Sequence, residues 1–271
     1  MESFTTECVY KNSGVITVYF IQGKYRIESL SGATFSGALE VIRVAFCQDE
    51  SVCIGCEVNE NPVAIEELLE LCADAALDAV SLVAVEIETG EVVAVAFNKI
   101  QVAATDTSER AFFETFAKER CTQGPSRSLV EFMADVDARC NLFEKYAVDC
   151  SLEIMFLATK REHRRRKLAQ LLCKVALDLA KKLKDGPVSK ITLEELGSKY
   201  SMLKPRSPTT KYPKICQAIW TSEGTQRIGK NLNFIVHLTV PFKEFMYEGK
   251  SYAERIGSVP SFCEVVAKPL Y

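Results

Sequence analysis

Six of the eight residues in Lys160-Arg161-Glu162-His163-Arg164-Arg165-Arg166-Lys167 are Lys or Arg. An apolar run, Leu152 to Ala158, precedes them, and a strong helical pattern follows. The cations therefore sit where a strand hands over to a helix N-terminus. The first N–H groups of a helix lack intrahelical partners, and the helix dipole adds to their preference for an anion. Cations crowded at that end are unfavourable for the helix by itself. A bound phosphate relieves the conflict. The same residues also read as a solvated basic turn or a short localisation-type cluster. The strand-to-helix junction of an α/β pattern, where ligands bind, tips the reading toward a phosphate site. Cysteine chemistry is a weaker candidate. Cys53-Ile54-Gly55-Cys56 has a spacing used by redox and zinc sites, but zinc needs a second ligand pair. The chain has only two histidines, His163 and His237. No metal is expected.

The elements that must position the basic run can be read from periodicity. Leu152 to Ala158 reads as a central strand. Leu168, Leu171, Leu172, Val175, Leu179 and Leu183 then fall at spacings of three and four, and Gly186-Pro187 stops that helix. Upstream, Tyr25 to Ser29 reads as a first strand. Phe35 to Phe46 reads as a helix capped by Thr34, and Val63 to Leu77 as another helix. Ser81 to Ile87 and Val92 to Val102 form a hairpin through Gly90. A polar, irregular stretch follows, and then a helix over Ser128 to Tyr146. Downstream, residues 187–213 read as a Lys- and Pro-rich inserted loop, with one short helix near Leu193 to Leu196. A strand at Lys214 to Trp220, a helix at Thr225 to Leu232, and extended runs at Phe234 to Tyr247 and Phe262 to Ala267 complete the pattern. Hairpin and βαβ units together predict an α/β fold with one mixed sheet flanked by helices.

Composition sets the outer bounds. The 271 residues are 48% hydrophobic and 25% charged, enough for a core and unlike a disordered chain. A net charge of -3 argues against a surface devoted to polyanions, so nucleic acid is not an expected partner. No run approaches the roughly 18–20 apolar residues that span a bilayer, and the first residues lack secretory-signal character. No membrane association is expected, and the location is read as cytoplasmic. The eleven cysteines are odd in number and scattered, and Cys173 and Cys263 fall inside apolar patterns, so reduced thiols are expected.

Arg164-Arg165-Arg166-Lys167-Leu168-Ala169 resembles the acetyl-CoA signature of the GNAT-superfamily N-acetyltransferases, an Arg/Gln followed by x-x-Gly-x-Gly/Ala. Met155 to Thr159 resembles that family's splayed fourth strand. Phe46 to Glu50, Asn141 to Tyr146, and Thr221 through Phe234 resemble stretches of the insect arylalkylamine N-acetyltransferases, in matching order over roughly residues 24–268. The resemblance implies a single GNAT-type domain over 1–271, with an N-terminal extension to about residue 23 and an insertion at about 187–213. It implies a sheet of about seven strands. The implied activity is transfer of an acetyl or longer acyl group from acyl-CoA to a small primary amine such as dopamine, serotonin or tyramine, by a protein acting as a monomer. Polyamines and amino acids are further possible acceptors.

Site residues follow from the same resemblance. Leu157, Ala158 and Thr159 correspond to the strand holding the pantetheine arm, with a backbone N–H near Ala158 or Thr159 polarising the thioester. Arg164, Arg165, Arg166, Lys167, Leu168 and Ala169 correspond to the diphosphate loop. Glu50 matches the general base, acting through water, or else is a solvated loop acid; adjacent carboxylates such as Asp49 and Glu50 are expected to raise one another's pKa. Thr221 and Thr225 match two hydroxyl positions near the leaving thiol, or serve as helix caps. Phe46, Phe143, Tyr146 and Trp220 are candidates to line an amine pocket. One departure stands out: Lys167 replaces the usual glycine, which tolerates unusual torsions and close approach. That change leaves two outcomes open, cofactor binding with altered geometry or a non-catalytic acyl-CoA-binding or interaction protein.

Overall fold

Runs rich in Val, Ile and Phe form strands because branched and aromatic side chains pack well on a pleated surface. The computed structural model describes residues 4–11, 14–21, 23–103, 112–207, 210–257 and 260–271, with side chains from residue 23 onward. Strands β1 (Phe4–Lys11) and β2 (Gly14–Ile21) pair antiparallel and continue into β3 (Tyr25–Ser29). The segment read as an N-terminal extension thus adds two strands to the sheet.

Helix α1 (Gly32–Val41) widens into a π turn over Ile42–Phe46 and ends in α2 (Cys47–Asp49). Ser31 is the N-cap residue and Thr34 lies in the first turn, where its Oγ1 accepts from the Ser31 N–H at 3.1 Å. The cap expected at Thr34 is therefore three residues earlier. Glu50 is extended, and α3 (Ser51–Gly55) starts after it. Asn61 caps α4 (Pro62–Ala76) by accepting from the N–H groups of Val63 and Ala64. Strands β4 (Leu82–Glu86) and β5 (Val92–Val102) form the expected hairpin.

Three expectations fail locally. Helix α5 (Phe112–Arg120) occupies part of the stretch read as irregular. The single helix read over Ser128 to Tyr146 is two, α6 (Gly124–Ala138) and α7 (Leu142–Tyr146). The break arises because Asn141 caps a new helix, its side chain accepting from the Glu144 N–H at 3.3 Å. After β6 (Cys150–Thr159), α8 (Leu168–Lys182), α9 (Leu193–Leu196), β7 (Ile215–Trp220) and α10 (Glu223–Asn231), strand β8 (Ile235–Pro241) is shorter than its apolar run. Pro241 has no N–H for the ladder, and Phe242 turns into the core with no exposed surface. A small hairpin, β9 (Met246–Tyr247) and β10 (Lys250–Ser251), leads through α11 (Tyr252–Ile256) to β11 (Phe262–Pro269).

The sheet order is β1-β2-β3-β4-β5-β6-β7-β11-β8. From β3 onward this is a seven-stranded mixed sheet, in which β6 and β7 are the parallel pair. One face packs α1, α4 and α6; the other packs α8 through Leu168, Leu172, Val175 and Leu179. Burial of each such side chain contributes about 1.5–3 kcal/mol. The feature that makes a site is how briefly β6 and β7 pair. Their ladder runs from Ser151↔Ile215 to Glu153↔Gln217, yet β6 continues to Thr159 and β7 to Trp220. A register shift in the β5–β6 ladder, where Phe97 and Asn98 face Phe156 and Ile154, leaves Met155 as an extra residue. Such bulges bend a strand, and the strands diverge into a V.

Candidate active site

The V opens into a cavity of about 540 Å³. Glu50, Leu157, Ala158, Thr159, Arg164, Arg165, Lys167, Leu168, Ala169, Thr221 and Thr225 all line it, so the structure brings eleven of the twelve sequence-derived site residues together. Arg166 is the exception. Its guanidinium donates to the Tyr25 hydroxyl at 2.6 Å and the Glu162 carbonyl at 3.2 Å, on the β3 side of the loop.

The loop before α8 has an unusual backbone. Arg165 and Lys167 both adopt left-handed torsions, with φ of 64° and 62°. A residue with a Cβ loses roughly 1–2 kcal/mol there relative to the ordinary helical region. Lys167 nevertheless follows the path that a glycine takes without strain, and it occupies the N-cap position of α8. Leu168, Ala169 and Gln170, the first turn of the helix, border the cavity. The cations of the basic run are in part neutralised by protein carboxylates. Lys160 pairs with Glu91, and Arg161 and Arg164 both pair with Asp49. Arg164 also donates to the Thr159 carbonyl at 3.1 Å. Hydrogen bonding from Arg161, with support from Arg164, holds the Asp49 carboxyl below its usual range. Asp49 is thus turned toward the arginines, and the mutual raising expected of the Asp49–Glu50 pair does not describe it.

Glu50 joins α2 to α3, with φ −76° and ψ 141°. Its Oε2 caps α3 by accepting from the Cys53 N–H at 2.8 Å. Its Oε1 is buried and has no hydrogen-bond partner among the described residues. Thr159 Oγ1 and Trp220 Nε1 share that condition and also belong to cavity-lining residues. Buried polar atoms are ordinarily paired, so the orphans on Glu50 and Thr159 beside one cavity mark a place for a polar ligand or water, whereas Trp220 Nε1 faces Gly229 of α10.

At the start of α10 the capping residue is Ser222, which sequence reasoning passed over. Its Oγ accepts from the Thr225 N–H at 3.2 Å, and Thr225 Oγ1 donates to the Ser222 carbonyl at 2.9 Å. Thr225 is therefore a cap partner that borders the cavity, and Thr221 sits one residue before the cap. Among the aromatic candidates, Phe46 and Trp220 line the cavity, and Phe46 meets Phe156 edge-on at 4.8 Å between centroids. Phe143 and Tyr146 do not. They border a separate groove, where the Tyr146 hydroxyl lies 2.7 Å from His237 Nε2. Leu129, Phe132 and Met133 of α6 are lining residues that the sequence offered only as the apolar face of a helix.

Cys53 and Cys56 are fully buried, and burial pushes both thiols up, which suppresses the reactive thiolate. Among the described residues, Glu86, Glu91 and His163 bring three potential metal-donor atoms within 4.8 Å. Lys24 and Lys160 already pair with those two carboxylates.

The arrangement of strands and helices recurs in solved structures. The chain aligns with arylalkylamine N-acetyltransferase 2 from Aedes aegypti at a TM-score of 0.68, covering 91% of this chain and 99% of that one at 19% identity. The fold is that of the GNAT acetyltransferases. A mosquito arylalkylamine N-acetyltransferase like 5b aligns at 0.64, covering 90% of this chain and 99% of its own at 12% identity. An agmatine N-acetyltransferase aligns at 0.62 with the same coverages and 13% identity. No protein-family model and no curated protein sequence matches the chain. In this GNAT fold, β6 is the splayed strand and α8 the helix whose N-terminus meets the cavity. An acyl-CoA suits what is there: a strand edge released from its ladder, a helix N-terminus, nearby arginines and orphaned polar atoms.

Proposed function

We propose that the chain is an N-acyltransferase that carries an acetyl or longer acyl group from acyl-CoA to the primary amine of a small molecule. One observation carries this reading. A single cavity connects the N-terminus of α8, across the gap between β6 and β7, to Glu50, whose Oε1 has no hydrogen-bond partner among the described residues.

Leu157, Ala158 and Thr159 would receive the pantetheine arm along the strand edge. Arg164, Arg165, Lys167, Leu168 and Ala169 would receive the diphosphate through cations and helix N–H groups. Acetyl-CoA supplies a thioester carbonyl as the electrophile. A backbone N–H near Ala158 or Thr159 would stabilise the charge that develops on that oxygen. Glu50 is fixed by its bond to Cys53, and Oε1 is left to take a proton from the amine, directly or through a water. Thr221, which lines the cavity, would orient the substrate near the leaving thiol, while Thr225 is occupied in the cap of α10. Phe46, Phe132, Met133 and Phe156 give the acceptor side the apolar walls that an arylalkylamine such as dopamine, serotonin or tyramine requires.

Thiol release from acetyl-CoA against a panel of arylalkylamines and polyamines tests this. Glu50→Gln keeps the shape and removes the base, so kcat/KM is expected to fall by on the order of a hundredfold or more. CoA binding, followed by calorimetry, should persist. Binding without turnover by any amine would favour a non-catalytic acyl-CoA-binding protein. Loss of both would defeat the reading.

A further inference from the structure

Strands β6 and β7 part company at Glu153. It is the last residue of the parallel ladder, opposite Gln217, so it sits where the V closes. It is only 2% exposed, yet it borders the cavity, in company with Phe132, Met133 and Phe156. Its Oε2 accepts from Gln101 Nε2 on β5 at 2.7 Å. Burial pushes its protonation up to about 7, opposed by the Gln101 hydrogen bond and the charge of Lys99. Lys99 is not available as a close partner: its ammonium lies 3.6 Å from Asp74 and 3.5 Å from Asp78. Asp137 of α6 adds to the negative side, its own carboxyl raised by burial and by the charge of Glu153.

A buried carboxyl is unfavourable unless its oxygens are hydrogen-bonded, and Gln101 donates to Oε2, one of the two. The proposed acyl transfer does not use this carboxyl, because the base proposed is Glu50 and the loop proposed for the diphosphate lies at the α8 end. A ligand that brought a further donor to the closed end of the V would add to the bond from Gln101. We propose that Glu153 is a specificity-determining residue, receiving a hydrogen-bond donor carried at the far end of the acceptor amine. The acceptors favoured by this site are then bifunctional, with the reacting amine at one end and an ammonium or hydroxyl at the other. This rests on the acyltransferase reading and narrows its substrate class.

Matched pairs of amines test the inference in the full-length protein. Tyramine against phenethylamine isolates a hydroxyl, and 1,5-diaminopentane against 1-aminopentane isolates an ammonium. For each, Kd is measured by calorimetry in the presence of CoA, and kcat/KM by thiol release. Wild type is expected to favour the donor-bearing member of at least one pair by about tenfold or more, since a site built around a donor rejects the analogue that lacks it. Glu153→Gln keeps an acceptor oxygen but no charge, so it should erase an ammonium preference and largely keep a hydroxyl preference. Glu153→Leu should erase both. Melting curves of the two variants verify that they are folded, and the Gln variant, which preserves shape, carries the test if the Leu variant is not. Wild-type turnover with no preference, or with a preference that both variants keep, would overturn the role of Glu153 and leave acyl transfer standing. Wild type that neither binds nor acetylates any amine would overturn both.

Discussion

Asp49 and Glu50 are neighbours in sequence and face different tasks. Glu50 has one oxygen bound to the Cys53 N–H and one without a partner. Asp49 reaches across to Arg161 and Arg164, in the loop where a diphosphate is proposed to bind. A carboxylate and a phosphate compete for the same guanidinium forks. These pairs are half-exposed, so they add little to stability. Asp49→Asn should release both arginines without unfolding the chain. Its expected effect is a several-fold lower Kd for CoA at low ionic strength, fading as salt screens the loop. An unchanged or weaker affinity would mean that Asp49 holds the arginines in their binding geometry instead of competing for them. Lys167 bears on the same loop. Its φ of 62° means that the chain path normally given to glycine is kept by a residue under strain.

Helix α10 borders the cavity through Gly224, Thr225 and Ile228, and its fit depends on Gly229. A Cβ added there would stand 2.4 Å from Trp220 Nε1 and 2.9 Å from Trp220 Cδ1, too close for either to stay. Gly229→Ala is therefore expected to push α10 off Trp220, lowering stability by about 1–3 kcal/mol and weakening CoA binding along with it. A melting temperature equal to that of wild type would show that the contact yields easily. The sequence carried some of this arrangement and not the rest. Strand β6 and helix α8 are legible because uninterrupted apolar runs with different periods meet at a basic junction. The break between α6 and α7 is not, because apolar spacing continues past it and Asn141 decides it locally. Phe132 and Met133 look like any core positions on an amphipathic helix. Glu153 looks like a lone acid in a strand, since its place at the closed end follows from where β6 stops pairing with a strand more than sixty residues later. The Asp49–Arg161 pair, 112 residues apart, has no local signal either.

At the scale of the molecule, the segment 187–213, read as an insertion, is tied through its described residues to α1 and α4, and none of those residues lines the cavity. Lys199 pairs with Glu66, which also holds Arg43, and Glu195 packs closely against Gly32. The firmest tie is Arg206, which reaches Asp74 and Asp78 at the end of α4, where Lys99 from β5 also lies. Two cations and two carboxylates from three separated parts of the chain share one mostly buried site. Removing one partner from such a cluster leaves charge uncompensated, an effect of about 3–5 kcal/mol when burial is complete. The Arg206 side chain is 30% exposed, so water offsets part of that loss. Arg206→Met is expected to lower stability by about 2 kcal/mol, or a melting temperature shift of roughly 5 °C in a chain of this size. None of these residues borders the cavity. The same variant, assayed below its transition, should therefore keep the kcat/KM of wild type. A selective loss of activity in folded Arg206→Met would tie the insertion to the V, through β5 and its neighbour β6, and would require a mechanical link between this brace and the site.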